Sequence, residues 1–492
     1  MNNPDHEVLI VGAGFSGIGA AIMLDNAGFS DYRIIEAGGG PGGTWYWNTY
    51  PGIAVDIPSF SYQFSFEQSA NWSRTYAPGH ELQAYAEHCV DKYRLRPKIR
   101  FNTAVATAVF DEADELWRLQ LDSGEVLTGR FLINGSGILT TPNLPDIDGV
   151  DSFAGATMHT ARWDHSQDLT GKRVAIIGTG ASAVQLIPEI APIVQQLSVF
   201  QRTPIWCFPK ADRPLTARQQ LAMRIPGVKS VQRLVSQAYV ELTFPLVTHY
   251  FTVNPTVKHM AEAGKAYLRR QVRDPEVRDK LTPHYTVGCK RPAFHNTYLS
   301  TYNRENVELV TDPIEKITGS SVVVTDGAAR DIDVLILATG FKVLDPDELP
   351  TYPITGVGGQ RLAEFWNTHR LQAYQGVSVP GFPNFFTVFG PYGFVGSSYF
   401  ALIEAQTHHI VRCLKQARRK RATRVEVTRE ANDRYFASML RKRHRQIFWQ
   451  DSCQQSNSYY FDKHGDVPLR PASTPEIYWH SRRFPLAAYR FG

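Results

Sequence analysis

Two glycine clusters carry the first chemistry that can be read in this chain of 492 residues. The first is Gly12-Ala13-Gly14-Phe15-Ser16-Gly17. A glycine at its first position permits a tight turn, one at the second admits a pyrophosphate, and one at the third lets strand and helix pack closely. The helix that starts at Phe15 and Ser16 presents unpaired backbone N–H groups and the positive end of its dipole to an anion. Glu36 ends the strand that follows, where a carboxylate accepts from ribose hydroxyls and repels a 2′-phosphate, so this turn suits FAD or NAD better than NADP. The second cluster, Gly178-Thr179-Gly180-Ala181-Ser182-Ala183, has alanine in the third glycine's place and is followed after its next strand by Gln201-Arg202-Thr203. The planar fork of Arg202 matches phosphate oxygens and points to NADPH; the competing reading of Arg202 is an ordinary surface charge. A flavin and a nicotinamide in one chain imply electron transfer between them.

The elements that must position these turns are legible on either side of them. Glu7 to Gly12 reads as a short apolar strand, Ile18 to Ala27 as a helix and Tyr32 to Glu36 as a second strand, the opening half of a βαβ unit. Arg173 to Ile177, Ala183 to Ile190 and Leu197 to Phe200 repeat that order. The fold class expected is α/β, with two Rossmann-like dinucleotide-binding domains and a helical insertion. Between the units, Arg100 to Val109 and Leu116 to Leu121 alternate like antiparallel strands, and Thr141 to Pro145 forms a Pro-rich link. The expected division assigns 1–145 to the FAD-binding domain, 146–216 to the NADP-binding domain and 217–285 to the insertion. Residues 286–337 then return to the NADP-binding domain, and 338–492 complete the FAD-binding domain with substrate-side loops.

Composition narrows the class further. The length exceeds what one hydrophobic core usually fills, and a formal net charge of +5 over 99 charged residues is too balanced to imply nucleic acid. The five cysteines, Cys89, Cys207, Cys289, Cys413 and Cys453, form no CxxC pair, which leaves no readable zinc or dithiol motif and no metal site. Their odd number and wide scatter suit a reducing cytoplasm better than a disulfide framework. No basic stretch precedes the first strand, so no signal peptide is expected. The apolar stretch Leu234 to Val257 is broken by Glu241, Pro245, His249 and Pro255 and does not read as a membrane span.

Between the two glycine turns lies Phe153-Ala154-Gly155-Ala156-Thr157-Met158-His159-Thr160-Ala161-Arg162-Trp163-Asp164. By itself His159 would be a satisfied structural histidine. The pattern of Phe153, Gly155, His159, Trp163 and Asp164, however, resembles the fingerprint of the type I Baeyer–Villiger monooxygenases, flavoproteins related to the N- and S-oxygenating flavin monooxygenases. Gly42-Gly43-Thr44-Trp45-Tyr46-Trp47-Asn48 and Tyr50-Pro51-Gly52 resemble that family's flavin-contacting loop. Asp56 falls at its active-site aspartate, Arg291 of Gly288-Cys289-Lys290-Arg291-Pro292 at its active-site arginine, and Lys290 at a second 2′-phosphate contact. Ala338-Thr339-Gly340 matches its interdomain ATG motif, whereas the first crossing departs from it as Asn134-Gly135-Ser136-Gly137. The expected cofactor-binding set also takes in Tyr62, Val105, Gln185 and Thr203. The resemblance spans nearly the whole chain, but Ser452 to Arg482 offers no assignable substrate contacts.

The resemblance implies that NADPH reduces FAD, that a C4a-peroxyflavin forms with O2, and that it inserts one oxygen beside a ketone carbonyl to give an ester or lactone. Arg291 would stabilise the oxyanion and Asp56 would orient it. The loop with His159 and Trp163 would couple domain movements. The aromatic content near the substrate side would suit a bulky cyclic, aromatic or steroid-like ketone. Two other functions remain open at this point: an N- or S-oxygenating flavin monooxygenase, and a non-oxygenating flavin-binding reductase or redox sensor.

Overall fold

Strands covered on both faces read as continuous apolar runs and need helical crossovers to stay parallel. The runs flanking both glycine turns satisfy this in the computed structural model, which describes residues 3–250 and 256–492. In the first sheet the strand His6–Val11 lies between Tyr32–Ile35 and Val126–Asn134, parallel to both. Leu116–Leu121 and Val105–Asp111 extend that sheet in antiparallel fashion, and Phe385–Thr387 returns from far along the chain to pair with Val126–Asn134. The second sheet is wholly parallel, in the order Val307–Val310, Gln196–Phe200, Arg173–Ile177, Val334–Leu337, Ala156–His159. The α/β class with two dinucleotide-binding units and a helical insertion is therefore the observed architecture.

Each unit has a core of its own, to which the other adds a few side chains: Tyr50 joins the second, and Trp206 and Phe208 join the first. Ile176, Val199 and Ile336 are buried in the second, and Ile10, Ile34 and Ile133 in the first. The helix Tyr399–Lys420 lies against Phe15–Asn26 so closely that a Cβ on Gly19 would stand 2.7 Å from Ile403 Cγ2. The insertion comprises the helices Ala217–Met223, Val228–Thr243, Pro245–His249, Thr256–Gln271 and Pro275–Lys280. Residues 251–255, part of that insertion and of the apolar stretch Leu234 to Val257, lie outside the described residues. Among the described residues no helix is long and apolar enough to cross a membrane.

One expectation is corrected. Cys289 and Cys453 form a disulfide, with Cα atoms 5.1 Å apart across a sequence separation of 164 residues. Scatter along the chain carried no information about distance in space, and the chain's return brings the two loops together. Cys89, Cys207 and Cys413 are free and buried.

Glycines at different positions of these turns differ in what they must avoid. A Cβ on Gly17 would lie 1.9 Å from the Gly12 carbonyl oxygen, whereas one on Gly180 would meet nothing within 4 Å. Gly17→Ala is therefore expected to cost about 3 kcal/mol or more through backbone overpacking. Gly180→Ala should unfold at the wild-type temperature yet bind a dinucleotide about tenfold more weakly. Thermal unfolding with a cofactor titration checks both, and equal melting of the two variants would refute the distinction.

Candidate active site

The two units face each other across one cleft of about 1650 Å³, well above the roughly 300–1,000 Å³ of a pocket for one drug-sized ligand. It has room for two dinucleotides. On the first unit it is lined by Gly12, Gly14, Phe15, Ser16 and Glu36. Gly12 takes φ +98°, and a Cβ there would strike the Gly135 carbonyl oxygen at 2.7 Å, so the departing sequence Asn134-Gly135-Ser136-Gly137 packs directly under the turn. Buried Glu36 accepts from the backbone N–H of Ala13 (2.5 Å) and of Gly38 (2.7 Å). Burial raises its pKa, opposed by those two donors. The carboxylate thus braces the glycine turn as well as facing the cleft. Gly43, Thr44, Trp45, Tyr62 and Val105 line the same side, with the Trp45 indole N–H 3.3 Å from the Tyr62 hydroxyl. Gly17 does not line the cleft and acts in the strand–helix contact behind it.

The second unit repeats the geometry. Gly178 takes φ +113°, and a Cβ there would lie 2.5 Å from the Ala338 carbonyl oxygen. Gly180, Thr179, Ser182, Thr203, Ala338, Thr339 and Gly340 line the cleft, while Ala183 is buried behind it. Gln185 does more than face the cleft. Its carbonyl accepts from the Tyr50 hydroxyl (3.0 Å) and its amide donates to the Ala54 carbonyl (2.8 Å), pinning the helix Ala181–Ile190 to the opposite unit. Lys290 sits beside Arg202, and burial together with that neighbouring charge pulls its pKa down to about 8. Two adjoining cations at the end of a glycine turn suit a phosphate dianion.

Arg291 stands where the two units meet. Its Nε donates to Asp56 Oδ2 at 2.5 Å, and its guanidinium carbon lies 5.1 Å from the centre of the Phe244 ring. Burial works against the charge of each partner, but their mutual attraction outweighs it, holding Asp56 below the usual carboxylate range and raising the Arg291 pKa. Both groups stay ionised across the ordinary pH range. Aromatic side chains wall this part of the cleft, among them Phe389, Phe394, Tyr399 and Tyr460.

The loop with the histidine fingerprint lies outside the cleft lining. Phe153 packs into a small core of the second unit, a Cβ on Gly155 would strike the Asp333 carbonyl at 2.5 Å, and Trp163 packs against the second core. Asp164 accepts from the Ser166 N–H (2.9 Å) and hydroxyl (2.6 Å), a local surface turn. His159 is buried; its Nδ1 accepts from the Ala161 N–H (3.0 Å) and its Nε2 lies 3.3 Å from the Thr339 hydroxyl. Burial, with the Arg162 charge adding, lowers its pKa to about 4, so it is neutral near pH 7. From the same loop Arg162 covers the Trp47 ring (4.2 Å) and His165 lies 2.8 Å from the Thr49 hydroxyl. The loop thereby touches both units.

Sequence reasoning missed the residues that close the site from the C-terminal side. Tyr459 and Tyr460 line the cleft at Arg291, and the Asn457 amide donates to the Thr203 hydroxyl at 2.8 Å. The adjacent tyrosines in a polar loop were the one available signal, and they gave no location. The Cys289–Cys453 bond ties this loop to the segment carrying Lys290 and Arg291.

Comparison with known proteins follows this geometry. A family model described as pyridine nucleotide-disulphide oxidoreductase matches residues 9–218. A Baeyer-Villiger monooxygenase of Pseudomonas aeruginosa is 36% identical over 486 residues, covering 98% of this chain and 91% of that protein. The crystal structure of OTEMO in complex with FAD and NADP superposes with a TM-score of 0.89 at 30% identity, covering 100% of both chains. Cyclohexanone monooxygenase from Rhodococcus sp. Phi1, bound to NADP+, gives 0.88 at 29% identity over 99% of both chains.

In the chain-entropy model a disulfide closing a ring of this size removes unfolded-chain entropy worth about 5 kcal/mol. Cys453→Ser, and the wild type under a dithiol reductant, should both unfold at a lower temperature. Unchanged melting in both would mean that the bond contributes nothing to the fold.

Proposed function

The chain belongs to the Baeyer–Villiger monooxygenase family, and from that premise we propose that it inserts one atom of O2 beside the carbonyl of a ketone, giving an ester or lactone. It is an FAD- and NADPH-dependent enzyme. When bound, these cofactors supply hydride transfer and the reductive activation of O2. The observation that carries the proposal is the Arg291–Asp56 pair, set in an aromatic-walled cleft between two nucleotide turns.

The residues have separable tasks. The turn Gly12 to Gly17 with its helix N-terminus, together with Glu36, Gly43, Thr44, Trp45, Tyr62 and Val105, would hold FAD. The spare space beside Gly180 and the cation pair Arg202 and Lys290 fit NADPH, with Lys290 and Arg202 on its 2′-phosphate. Attack on a ketone carbonyl builds negative charge on its oxygen, and a cation that cannot lose its proton stabilises that charge without any proton transfer. Arg291 meets that requirement because Asp56 fixes its orientation. His159, neutral and hydrogen-bonded, serves as a strut between the Ala161 backbone and Thr339, and the contacts of Arg162 and His165 support its loop as the coupler between units. The corresponding division of the chain assigns 1–145 and 338–492 to the FAD-binding unit and 146–216 and 286–337 to the NADP-binding unit, with 217–285 inserted.

Mass spectrometry of products from a ketone and sulfide panel, with NADPH and O2, should reveal an ester carrying one added oxygen; sulfoxides alone would overturn the proposal. Arg291→Ala should remain yellow but oxygenate ketones about 10²–10³ times more slowly. A second expectation concerns pH. An amine whose pKa is lowered to about 8 is uncharged above that pH, and a phosphate dianion needs its ammonium form. The KM for NADPH should therefore rise by up to about tenfold per pH unit above pH 8, while that for NADH stays level. A parallel rise for both nucleotides would remove Lys290 from the phosphate site.

A further inference from the structure

The helix Val228–Thr243 is built inside out. Amphipathic helices of water-soluble domains turn their apolar stripe to the core and their polar face outward. Here the face turned toward the protein is mostly polar, with Val240 its one buried apolar side chain. Arg233 lies 3.8 Å from Glu404, Ser236 is buried and its hydroxyl donates to the Ser61 hydroxyl (3.0 Å), and the Gln237 amide donates to the Ser397 hydroxyl (2.9 Å). Glu241 accepts from the same Ser397 hydroxyl (2.9 Å) and from the Thr474 backbone N–H (3.2 Å). Val231, Leu234, Val235 and Leu242, spaced three, four and eleven positions from the first and so on one face, point to solvent instead. Leu234 is 70% exposed and Leu242 64%. The preceding helix adds Leu221, also 64% exposed, with Ile225 just beyond its end.

A contiguous apolar face rimmed by polar residues marks an interaction surface, and the charge of this one selects its partner. From Arg213 to Thr243 the chain carries five cations against one carboxylate, Glu241. Lys229 and Arg233, like Glu241, are engaged with the protein, which leaves Arg213, Arg218 and Arg224 as the charge of the patch. Arg213, Arg218 and Arg224 are exposed, and Arg218 stands one turn before Leu221 on the same helix face. In a two-fold contact between copies this patch would face itself, bringing like charges together, since the segment's one carboxylate, Glu241, is already engaged by Ser397 and Thr474. An anionic lipid surface answers both features at once, since it takes apolar side chains into the acyl boundary and pairs arginines with its phosphates.

We propose that the helices Ala217–Met223 and Val228–Thr243 form a monotopic docking face for an anionic phospholipid bilayer. The face lies flat on the bilayer without crossing it. Its far end leads into buried Phe244, whose ring packs on Arg291, so the docking helix runs directly to the cleft. The proposal does not depend on the reaction assigned to that cleft.

The test is flotation of the FAD-loaded full-length protein with vesicles of phosphatidylcholine, alone or with phosphatidylglycerol. The wild type should float with the mixed vesicles and much less with phosphatidylcholine alone. Replacing both leucines (Leu234→Gln with Leu242→Gln) should lower the bound fraction by about tenfold or more at unchanged NADPH oxidation. Replacing the arginines (Arg218→Gln with Arg224→Gln) should remove the preference for phosphatidylglycerol. Failure to float with either vesicle, or flotation indifferent to the leucine replacements, would overturn the proposal. A wild type that is dimeric in solution, ignores vesicles and becomes monomeric on the leucine replacements would overturn it too, assigning the face to a second copy of the chain.

Discussion

A guanidinium set among aromatic rings gives up part of its hydration, and that loss has to be offset by a partner charge. At the junction of the two units Asp56 supplies that charge, reaching Arg291 at 2.5 Å from a loop of the first unit, 235 positions earlier in the chain. Of the Arg291 side chain 22%, and of the Asp56 side chain 39%, stay exposed to the cleft. Removing either partner would strand the other's charge, so the loop around Asp56 and the segment Gly288–Pro292 are mutually dependent. Much of the neighbourhood serves to keep this pair in place. Phe244 covers the guanidinium, the Gly396 carbonyl lies 3.5 Å from one of its terminal nitrogens, and the Cys289–Cys453 bond fixes the chain two positions away.

The same economy governs how the two nucleotide units are joined. The cleft between them is wide, and the contacts that cross between the units are both apolar, with Tyr50 and Ile53 packed into the second core and Trp206 and Phe208 into the first, and polar. Gln185 reaches to Tyr50 and Ala54, His159 to Thr339, and Arg162 lies on Trp47. Polar and cation–π contacts of this kind can be exchanged for others at small free-energy difference, unlike the apolar cores inside each unit.

What could be read in the sequence follows the range of the forces involved. The glycine turns, Glu36 and Arg202 were legible because local backbone sterics and strand–turn–helix order dictate them. Arg291 and Asp56 were legible only by resemblance, since nothing local distinguishes an arginine that will meet an aspartate 235 positions away. Gln185 and Glu36 face the cleft as expected, but their bonds to backbone groups across a turn or across the seam were hidden. The Cys289–Cys453 bond and the tyrosines Tyr459 and Tyr460 depend on the path of the chain's return. The insertion at 217–285 was legible as helical, but which face of Val228–Thr243 the protein would keep was not.

The Cys289–Cys453 bond also makes part of the chain a closed loop, and that loop is not confined to one unit. It contains Val307–Val310 and Val334–Leu337 of the second sheet, then Phe385–Thr387 and the helix Tyr399–Lys420 of the first unit. A protease that cuts one peptide bond anywhere inside this ring would open it into a line without releasing either piece. While the bond is oxidised, the protein can therefore be nicked within that third of its length and remain one covalent molecule, both halves of the cleft still attached.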